Sequence, residues 1–372
     1  MLIKNAKVFK ENGSFEIGDI YIEQDRISDH STDEFSLDGS GLYAIPGLTD
    51  LHFHGCAGYD FCDGSHAAFE SIARYEASHG ITTICPATMS LPEETLSVIC
   101  KNVSTYKNEH GAILCGINME GPFLNISKKG AQNGEHIHTP NLEMFNHLDE
   151  LSGNKIKIVD IAPEVEGAMN FVSSLRDKKV ISLAHTSANY DTAMEAFRWG
   201  ANHVTHLYNA MSPLNHREPG VIGAASDTDH CNVELICDGI HIHPAVVRAT
   251  FKLFGEDRVI LISDSMMATG LPDGIYSLGG QEVNVVGKKA TLVSDGAIAG
   301  SAFNLMDCMI NAVRNMDIPL EIAVKAAAVN PAKAIGIYDN YGSITPGKVA
   351  NIVLLDSDLN LKTIILKGVP IN

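Results

Sequence analysis

The sequence predicts an α/β fold: a TIM-type (β/α)8 barrel with a small β-sandwich formed by both ends of the chain. Apolar, strand-like runs alternate with helix-period segments about eight times between residues 40 and 265. Both ends carry short β-like runs with Gly and Asn turns and no helical period. No glycine-rich phosphate turn follows the first candidate strand, which argues against an open sheet that binds a dinucleotide.

The candidate strands are largely apolar, as expected for parallel strands that are covered by helices on both faces. Active sites of such barrels lie at the carboxyl ends of the strands, so residues that follow these runs are candidates for function. In chain order the predicted strands are Leu48–His52, Ile81–Pro86, Ala112–Glu120, Ile156–Ala162, Val180–His185, His203–His206, Val233–Cys237 and Val259–Asp264.

Helical periodicity and capping signals occur between and after these strands. His66–His79 places its apolar residues on one stripe and stops before a glycine. Asp191 is predicted to cap a later helix. Glu321–Val329 is an alanine-rich helix that the following Asn330-Pro331 pair is predicted to break.

The chain divides into three predicted parts. Residues 1–44 and 346–372 are expected to form the two parts of the β-sandwich, because neither is long enough to bury a core of its own. Residues 45–345 form the predicted barrel domain, in which residues 274–294 have the pattern of an inserted β segment.

The composition is that of an ordinary globular protein and restricts its partners. Of 372 residues, 45% are hydrophobic and 19% are charged, and the formal net charge is −18. This negative charge disfavours nucleic acids and anionic membrane surfaces, which both select basic proteins. The eight cysteines are scattered without a Cys-x-x-Cys pair, and neither a signal peptide nor an apolar run of about 20 residues is expected. We therefore expect a cytoplasmic protein with reduced thiols that acts on a small molecule.

Potential metal ligands and acids follow the predicted strands at their carboxyl ends. His52 and His54 are two residues apart in a strand, so both side chains point to the same side and can bind one ion. The others follow strands three, five, six and eight, and histidine with carboxylate is a donor set of hydrolytic metal centres. The six residues are His52, His54, Glu120, His185, His206 and Asp264. The sequence therefore predicts a divalent metal centre at one rim of the barrel.

Two further His-x-His pairs are present. His136 and His138 lie in a polar loop and are predicted to be at the surface. His241 and His243 follow the seventh strand, so His241 is expected to reach the site without being a metal ligand.

Several motifs, which together cover essentially the whole chain, make the sequence resemble the amidohydrolase superfamily. Within it, the sequence is similar to the branch that deacetylates N-acetylglucosamine 6-phosphate. The most specific stretches are Glu120–Phe123 and His206–Met211, whereas the first His-x-His pair and the tail belong to the wider superfamily. The other matching stretches are 46–52, 128–131, 183–186, 217–220, 238–241, 263–265 and 346–352.

The resemblance implies a metal-dependent hydrolase barrel in which Glu120, His185 and His206 hold the principal divalent ion. Because His52 and His54 are both present, it also implies a second ion, bridged by Glu120. The predicted fourth strand ends without the lysine that bridges two ions in some members, which favours Glu120 in that role. One or two ions of Zn²⁺ are expected, with Fe²⁺ or Mn²⁺ as alternatives, since all three accept these ligands.

The resemblance further implies hydrolysis of the acetamide of N-acetyl-D-glucosamine 6-phosphate to D-glucosamine 6-phosphate and acetate, a step of amino-sugar catabolism. A hydroxide formed at the metal attacks the carbonyl, and Asp264 acts as general base and then as general acid. Two enzymatic alternatives stay open: the same reaction on the galactosamine epimer, and another amidohydrolase reaction on a cyclic amide, which would need no phosphate-binding group. A non-catalytic barrel would predict eroded ligands, and all six are present.

The resemblance also implies which residues bind the sugar phosphate. Arg217 and His241 are the expected phosphate contacts, and a planar guanidinium donates two parallel hydrogen bonds to phosphate. In this family such an arginine reaches across from a second subunit, which implies a homodimer. Some relatives place a histidine where this chain has Gln132, whose role is therefore open. The expected sugar-lining residues are Ala131, Gln132, Asn209, Ala210, Ile298, Ala299 and Gly300.

Overall fold

The computed structural model describes residues 1–31 and 35–371, and its strands and helices follow the predicted alternation. The strands are β1 (Leu2–Phe9), β2 (Phe15–Glu23), β3 (Arg26–Ser28), β4 (Ser36–Asp38), β5 (Tyr43–Pro46), β6 (Leu48–Asp50), β7 (Gly55–Cys56), β8 (Tyr59–Asp60), β9 (Ile81–Ile84), β10 (Ile113–Leu114), β11 (Ile117–Met119), β12 (Ile156–Ile161), β13 (Val180–Leu183), β14 (His203–Val204), β15 (Asn232–Ile236), β16 (Val259–Ile262), β17 (Gly274–Leu278), β18 (Gln281–Val286), β19 (Lys289–Leu292), β20 (Ile352–Leu355), β21 (Leu361–Leu366) and β22 (Val369–Ile371).

The helices lie between the strands and after the β insertion. The α-helices are α1 (His66–Ser78), α2 (Glu93–Thr105), α3 (Leu142–Leu151), α4 (Ala168–Leu175), α5 (Tyr190–Trp199), α6 (Gly220–Ser226), α7 (Pro244–Phe254), α8 (Leu305–Met316), α9 (Leu320–Val324) and α10 (Asn330–Ala334). Short 3-10 turns cover Phe61–Asp63, Ile126–Lys128 and Gly134–His136, and a π-helical turn covers Lys325–Val329. Within the described part of the chain, none of the helices combines the length and apolar character that a membrane span needs.

The parallel strands follow one another in chain order around a curled sheet. β6, β9 and β10 form one hydrogen-bonded group, and β11 to β16 form another. A parallel bridge between Ala87 and Asn118 joins the two groups. The Asp264 N–H donates to the His52 carbonyl at 2.9 Å, which joins the end of the last strand to the first. The carboxyl ends of the strands therefore meet at one rim, as the sequence predicts.

The two ends of the chain pair into one eight-stranded sheet. β20 lies antiparallel to β5, with Val353 opposite Ile45, and β5 pairs with β1. One face of this sheet buries a small cluster of its own, which includes Ile22 and Ile352, while Ile45 and Val353 belong to the main core. The two ends therefore complete each other. Their closure into a sandwich and the domain boundaries after residues 44 and 345 stay predictions.

Capping explains how two of the helices start. α1 begins after Ser65, whose side chain accepts the Ala68 N–H, and its bounds agree with the predicted His66–His79. The predicted cap Asp191 is wrong: Asn189 precedes α5 and its side-chain oxygen accepts the Thr192 N–H at 2.9 Å. A capping residue needs extended backbone just before the helix, and Asp191 already lies in the first turn, where its charge favours the positive end of the helix.

Asn330-Pro331 does not break the last helical stretch, contrary to the prediction. The π-helical turn leads directly into α10, and Pro331 lies in the first turn of that helix. The π-helical turn just before it departs from the regular i→i−4 hydrogen-bond pattern, so the proline without an N–H is accommodated there. The Asn330 amide donates to the Val259 carbonyl at 2.8 Å, which attaches this stretch to the start of β16.

The predicted β insertion is present as the antiparallel strands β17, β18 and β19. Its buried residues, among them Leu278 and Val283, form a cluster with Met89 and Met266. The Gln281 side chain donates a hydrogen bond to the carbonyl of Ala131. The insertion is thereby attached to a loop that follows the third barrel strand.

Glu76 is a fully buried acid on α1. Burial raises the pKa of its carboxyl group to about 8, and the nearby charge of Asp50 adds to the rise. The folded chain therefore keeps a proton on Glu76 at pH values at which the unfolded chain releases it. This contribution to stability is fully present below the ordinary pKa of a glutamate and is lost as the pH rises towards 8.

We predict that Glu76→Gln removes this part of the pH dependence of stability. The amide has no carboxyl proton to release. Between about pH 4.5 and pH 8, the free energy of unfolding of the variant should therefore rise relative to that of the wild type by about 1.4 kcal/mol per pH unit. Thermal unfolding of the metal-free proteins across this range measures the gain. Glu195→Gln, which replaces an exposed glutamate on α5, should retain the wild-type pH dependence. Equal pH dependence of Glu76→Gln and the wild type would contradict the assignment.

Candidate metal centre

The structure brings all six predicted rim residues together. His52 and His54 follow β6, Glu120 follows β11, and the other three follow β13, β14 and β16. All six side chains are buried. Their ligand atoms form two overlapping groups that could hold a metal ion, and both groups contain Glu120. The groups are Glu120–His185–His206 and His52–His54–Glu120.

The first group is compact. The Glu120 Oε1 lies 3.0 Å from His185 Nε2 and 3.1 Å from His206 Nε2. The two Nε2 atoms are 3.2 Å apart. Two imidazoles and one carboxylate that converge with buried donor atoms are a common ligand set of catalytic metal sites.

The second group shares the same carboxylate. The His52 Nε2 lies 3.5 Å from Glu120 Oε1, and the His54 Nε2 lies 3.3 Å from Glu120 Oε2. Asp264 lies beside this group, with its Oδ1 3.4 Å from His54 Nε2 and 3.8 Å from His52 Nε2. Glu120 thus occupies the bridging position between the two groups.

Three of the six residues have left-handed backbone. The φ angles are 44° at His185, 28° at His206 and 48° at Asp264. This conformation costs an L-residue with a Cβ roughly 1–2 kcal/mol, and it persists only where the surrounding structure determines it. Each of these residues lies two positions after the end of a parallel strand, where a sharp turn directs the chain away from the rim.

The charges of the cluster compensate one another. Burial alone would raise the pKa of Glu120, but His52, His185 and His206 hold it well below the usual value. Burial opposes charge on His54, yet hydrogen bonds to Asp264 and Glu120 raise its pKa to about 10. Buried carboxylates at this rim therefore require positive charge beside them. A bound divalent ion would supply that charge and displace the protons from the rings.

The orientation of two histidine rings also fits a metal site. The Nδ1–H of His185 donates to the Lys128 carbonyl at 2.8 Å, and the Nδ1–H of His52 donates to Glu234 Oε2 at 3.0 Å. Each contact leaves the Nε2 atom facing Glu120. The His52 Nε2 is buried and accepts or donates no hydrogen bond within the described residues. Histidine ligands of metals are commonly oriented in this way by an acceptor on the opposite ring nitrogen.

A cavity of about 270 Å³ opens onto the cluster. Its wall contains metal-ligand candidates and small or polar residues, so it could hold a polar molecule next to Glu120 and Asp264. Seven of the predicted substrate residues line it: Ala131, Gln132, Asn209, Ala210, His241, Ile298 and Gly300. Met89 and Leu278 also line it, and the sequence did not identify either because both carry ordinary apolar core signals.

Two predicted substrate residues do not line the cavity. Ala299 is fully buried between Ile298 and Gly300. Arg217 is exposed on the loop before α6, where its backbone N–H donates to the Asn215 side chain. Within this chain, Arg217 is therefore not part of the cavity wall.

Gln132 and His241 have defined partners. The Gln132 Nε2 donates to Glu120 Oε2 at 2.8 Å, and its Oε1 accepts the Ser90 N–H at 2.6 Å. Gln132 therefore contacts the bridging carboxylate directly. The His241 Nδ1–H donates to Asp238 Oδ2 at 2.7 Å. Burial disfavours charge on His241, but Asp238 and then Asp264 raise its pKa above the ordinary value.

The remaining histidine pair behaves as predicted: His136 is half-buried, His138 is exposed, and neither belongs to a ligand group. The sequence missed Glu234 and His203, which lie fully buried beneath the cluster. A signal for Glu234 existed, because an acid inside the apolar run Val233–Cys237 is unusual for a buried strand.

Comparison with known proteins gives a consistent result. The model of the amidohydrolase family matches residues 43–371. The N-acetylglucosamine-6-phosphate deacetylase of Bacillus subtilis (strain 168) is 36% identical over 382 residues, which cover 99% of this chain and 96% of that protein. The N-acetylgalactosamine-6-phosphate deacetylase of Escherichia coli O157:H7 is 33% identical, covering 87% of this chain and 86% of that protein. A crystal structure of N-acetyl-D-glucosamine-6-phosphate deacetylase from Mycobacterium smegmatis superposes with a TM-score of 0.92 at 29% identity, covering 100% of both chains.

We predict that His206→Ala lowers the metal content of the purified protein. The substitution leaves the first group with two of its three ligands, so the metal dissociation constant should rise at least about tenfold. Elemental analysis after dialysis measures the metal per chain. His138→Ala removes an exposed histidine outside both groups and should leave the content unchanged. An unchanged metal content in His206→Ala would refute the ligand assignment.

Proposed function

The chain belongs to the amidohydrolase family. From that premise we propose that it hydrolyses the acetamide of N-acetyl-D-glucosamine 6-phosphate to D-glucosamine 6-phosphate and acetate. The observation that carries the proposal is the Glu120-bridged pair of histidine groups, which faces a cavity of about 270 Å³ beside Asp264. Relatives that match over nearly the whole chain are deacetylases of amino-sugar phosphates. The chain is therefore a carbon–nitrogen amide hydrolase of amino-sugar metabolism.

Glu120, His185 and His206 would hold the principal ion, and His52, His54 and Glu120 would hold a second. A divalent ion at such a site lowers the pKa of a water molecule to about 7 and polarises the substrate carbonyl. Zn²⁺ suits this nitrogen and carboxylate donor set best, and Fe²⁺ or Mn²⁺ are the alternatives. The chain's own contribution is to hold the five side chains in a buried pocket with their donor atoms convergent.

Asp264 is the proposed general base and general acid. Burial by itself would raise the pKa of its carboxyl group, but His54 and His52 hold it below the usual value. The carboxylate is therefore unprotonated at neutral pH and can accept a proton from the attacking water. It lines the cavity, so the same group can then deliver that proton to the departing amine. Protonation of the amine is needed because an amide anion is a poor leaving group.

The cavity wall suggests how the sugar phosphate binds. Ala131, Asn209 and Ala210 would contact the sugar, and Ile298 with Gly300 would close the opposite wall. His241 would contact the phosphate, because Asp238 orients its ring and favours its cationic form. Gln132 would act mainly through Glu120, since both ends of its amide already have partners.

Arg217 is the second proposed phosphate contact. Because it lies outside the cavity of its own chain, we propose that it reaches the phosphate bound to a second copy in a homodimer. We further propose that the curled sheet is a closed (β/α)8 barrel, that the paired chain ends form a small β-sandwich, and that the enzyme is cytoplasmic. The acidic balance of the chain, with a net charge of −18, supports a small-molecule partner in place of nucleic acid or membrane.

The galactosamine epimer is a second candidate substrate. A relative that is 33% identical over most of the chain is an N-acetylgalactosamine-6-phosphate deacetylase. The two sugars differ only in the configuration at C4, and both carry the acetamide and the phosphate that the proposed contacts recognise. Relative kcat/KM for the two sugars therefore decides between them.

The function is tested by amine release from N-acetylglucosamine 6-phosphate, its galactosamine epimer and unphosphorylated N-acetylglucosamine. We expect turnover of a phosphorylated sugar that chelation abolishes and divalent metal restores. Asp264→Asn should keep its metal and lose about 10²- to 10⁴-fold in kcat, the usual contribution of a general acid–base group. Equal turnover with and without the phosphate would refute the phosphate contacts. Absence of turnover of all three sugars by metal-loaded protein would refute the proposed reaction.

The exchange of Arg217 between subunits predicts complementation. Arg217→Ala should raise KM for the phosphorylated sugar by about 10- to 100-fold, since hydrogen bonds to charged groups contribute about 1.5–3 kcal/mol. Mixed dimers of Arg217→Ala and Asp264→Asn copies would contain one site with both residues intact, so mixing should restore activity. Activity of the mixture equal to the sum of the two variants alone would show that Arg217 does not act across the dimer.

A further inference from the structure

A buried polar layer lies directly beneath the metal-ligand candidates. Glu234 on β15 is completely inaccessible to solvent, as are His52 and His203. Its Oε2 accepts the His52 Nδ1–H at 3.0 Å and the backbone N–H of His206 at 3.1 Å. Its Oε1 accepts the His203 Nε2–H at 3.1 Å. One carboxylate therefore contacts a ligand of the second group and the backbone of a ligand of the first.

The contact with His52 determines which ring nitrogen is available. A carboxylate only accepts hydrogen bonds, so the Nδ1 atom of His52 must carry its proton. The Nε2 atom of His52 then faces Glu120 Oε1 at 3.5 Å, and it is buried without a hydrogen-bond partner among the described residues. His203 provides a second hydrogen bond to Glu234, which limits rotation of the carboxylate around its side chain. Glu234 thus has the geometry to orient His52 for a ligand at Nε2.

Filling of the interior does not explain a fully buried carboxylate at position 234. An unpaired buried carboxylate is strongly unfavourable, and an apolar side chain of similar volume would be the ordinary filling for a barrel interior. Asp160 on β12 lies in the same buried layer and offers a comparison. It accepts the Thr205 hydroxyl at 2.9 Å, and among the described residues no hydrogen bond joins it to a histidine. The two buried acids therefore have different hydrogen-bond partners, and of the two it is Glu234 that hydrogen-bonds a histidine of the ligand cluster.

We propose that Glu234, supported by His203, is a positioning residue that orients His52 and thereby creates the second metal-binding group, His52–His54–Glu120. The first group depends on it less, because Glu234 contacts His206 only at the backbone and makes no hydrogen bond to the side chains of His185 or Glu120. The inference rests on the proposed metal centre and adds a residue outside the ligand set. It follows that a change at Glu234 should weaken binding of the second ion and leave the affinity for the first ion unchanged.

The test is metal stoichiometry and affinity in a graded set of variants. Glu234→Met keeps the volume but removes both carboxylate oxygens, so the protein should bind one Zn²⁺ per chain instead of two, as His52→Ala should. Glu234→Gln keeps an oxygen that can accept from His52 but loses the charge. Its second Zn²⁺ should bind about 10- to 100-fold more weakly, with the first unchanged. If Glu234→Met does not fold, the Zn²⁺ titration of Glu234→Gln alone decides the question.

Asp160→Asn is the matched control. Burial raises the pKa of the Asp160 carboxyl group well above its usual value, which favours the neutral acid, and the amide of Asn copies its shape. This variant should bind both ions with wild-type affinity. If Glu234 had only a structural role, the Glu234 variants would have a lower melting temperature, but binding of the second ion would not be weakened selectively. Wild-type stoichiometry and affinities in both Glu234 variants, joint loss of both ions, or a single ion in the wild type would each overturn the proposal.

Amine release by the same wild-type preparation separates this inference from the proposed function. Turnover of the phosphorylated sugar with unaltered Zn²⁺ binding in the Glu234 variants would refute the positioning role and leave the deacetylase standing. Loss of the second ion in those variants, with no turnover of any tested sugar by the wild type, would support the positioning role and refute the reaction.

Discussion

The carboxylate of Glu120 is the group on which the rest of the site depends. Its two oxygens lie within 3.5 Å of four histidine Nε2 atoms that come from three different strand ends. No local segment could assemble such a set, because its members are separated by up to 154 residues between His52 and His206. The curled parallel sheet solves this problem by bringing the carboxyl ends of its strands to one rim. The curled sheet is therefore the condition for this cluster of potential metal ligands.

Burial then requires the surrounding structure to compensate the charges. Carboxylates and imidazoles at this rim shift one another's pKa values, so that Glu120 remains ionised and His54 holds a proton to about pH 10 without a metal. Left-handed backbone at His185, His206 and Asp264 adds a conformational cost of roughly 1–2 kcal/mol at each position. The left-handed residues lie at the rim, directly beyond strands that are largely apolar. That division is typical of a site that is held in place for function.

The site is built in layers at the carboxyl-end rim of the curled sheet. At the top, the loop with Ala131 and Gln132 and the β insertion with Leu278 enclose the cavity. The ligand cluster forms the floor of that cavity. Beneath it, Glu234 and His203 form a buried polar layer, in which Glu234 contacts His52 of the cluster. The ligand cluster is thus contacted from both sides: Gln132 and the Lys128 carbonyl contact it from the cavity loop, and Glu234 contacts it from below.

The sequence by itself determined the strand ends, the six rim residues and the β insertion, because alternation, strand termini and ligand types are local properties. The tertiary structure decided the rest. It placed Arg217 outside the cavity, paired Gln132 with Glu120, and made Glu234 a partner of His52 across 182 residues. It also showed that the helical stretch continues through the Asn330-Pro331 pair, where the sequence predicts a break, because a π-helical turn accommodates the proline. Such contacts depend on how strands that are distant in sequence meet when the sheet curls. The spacing of residues along the chain does not predict which of them meet.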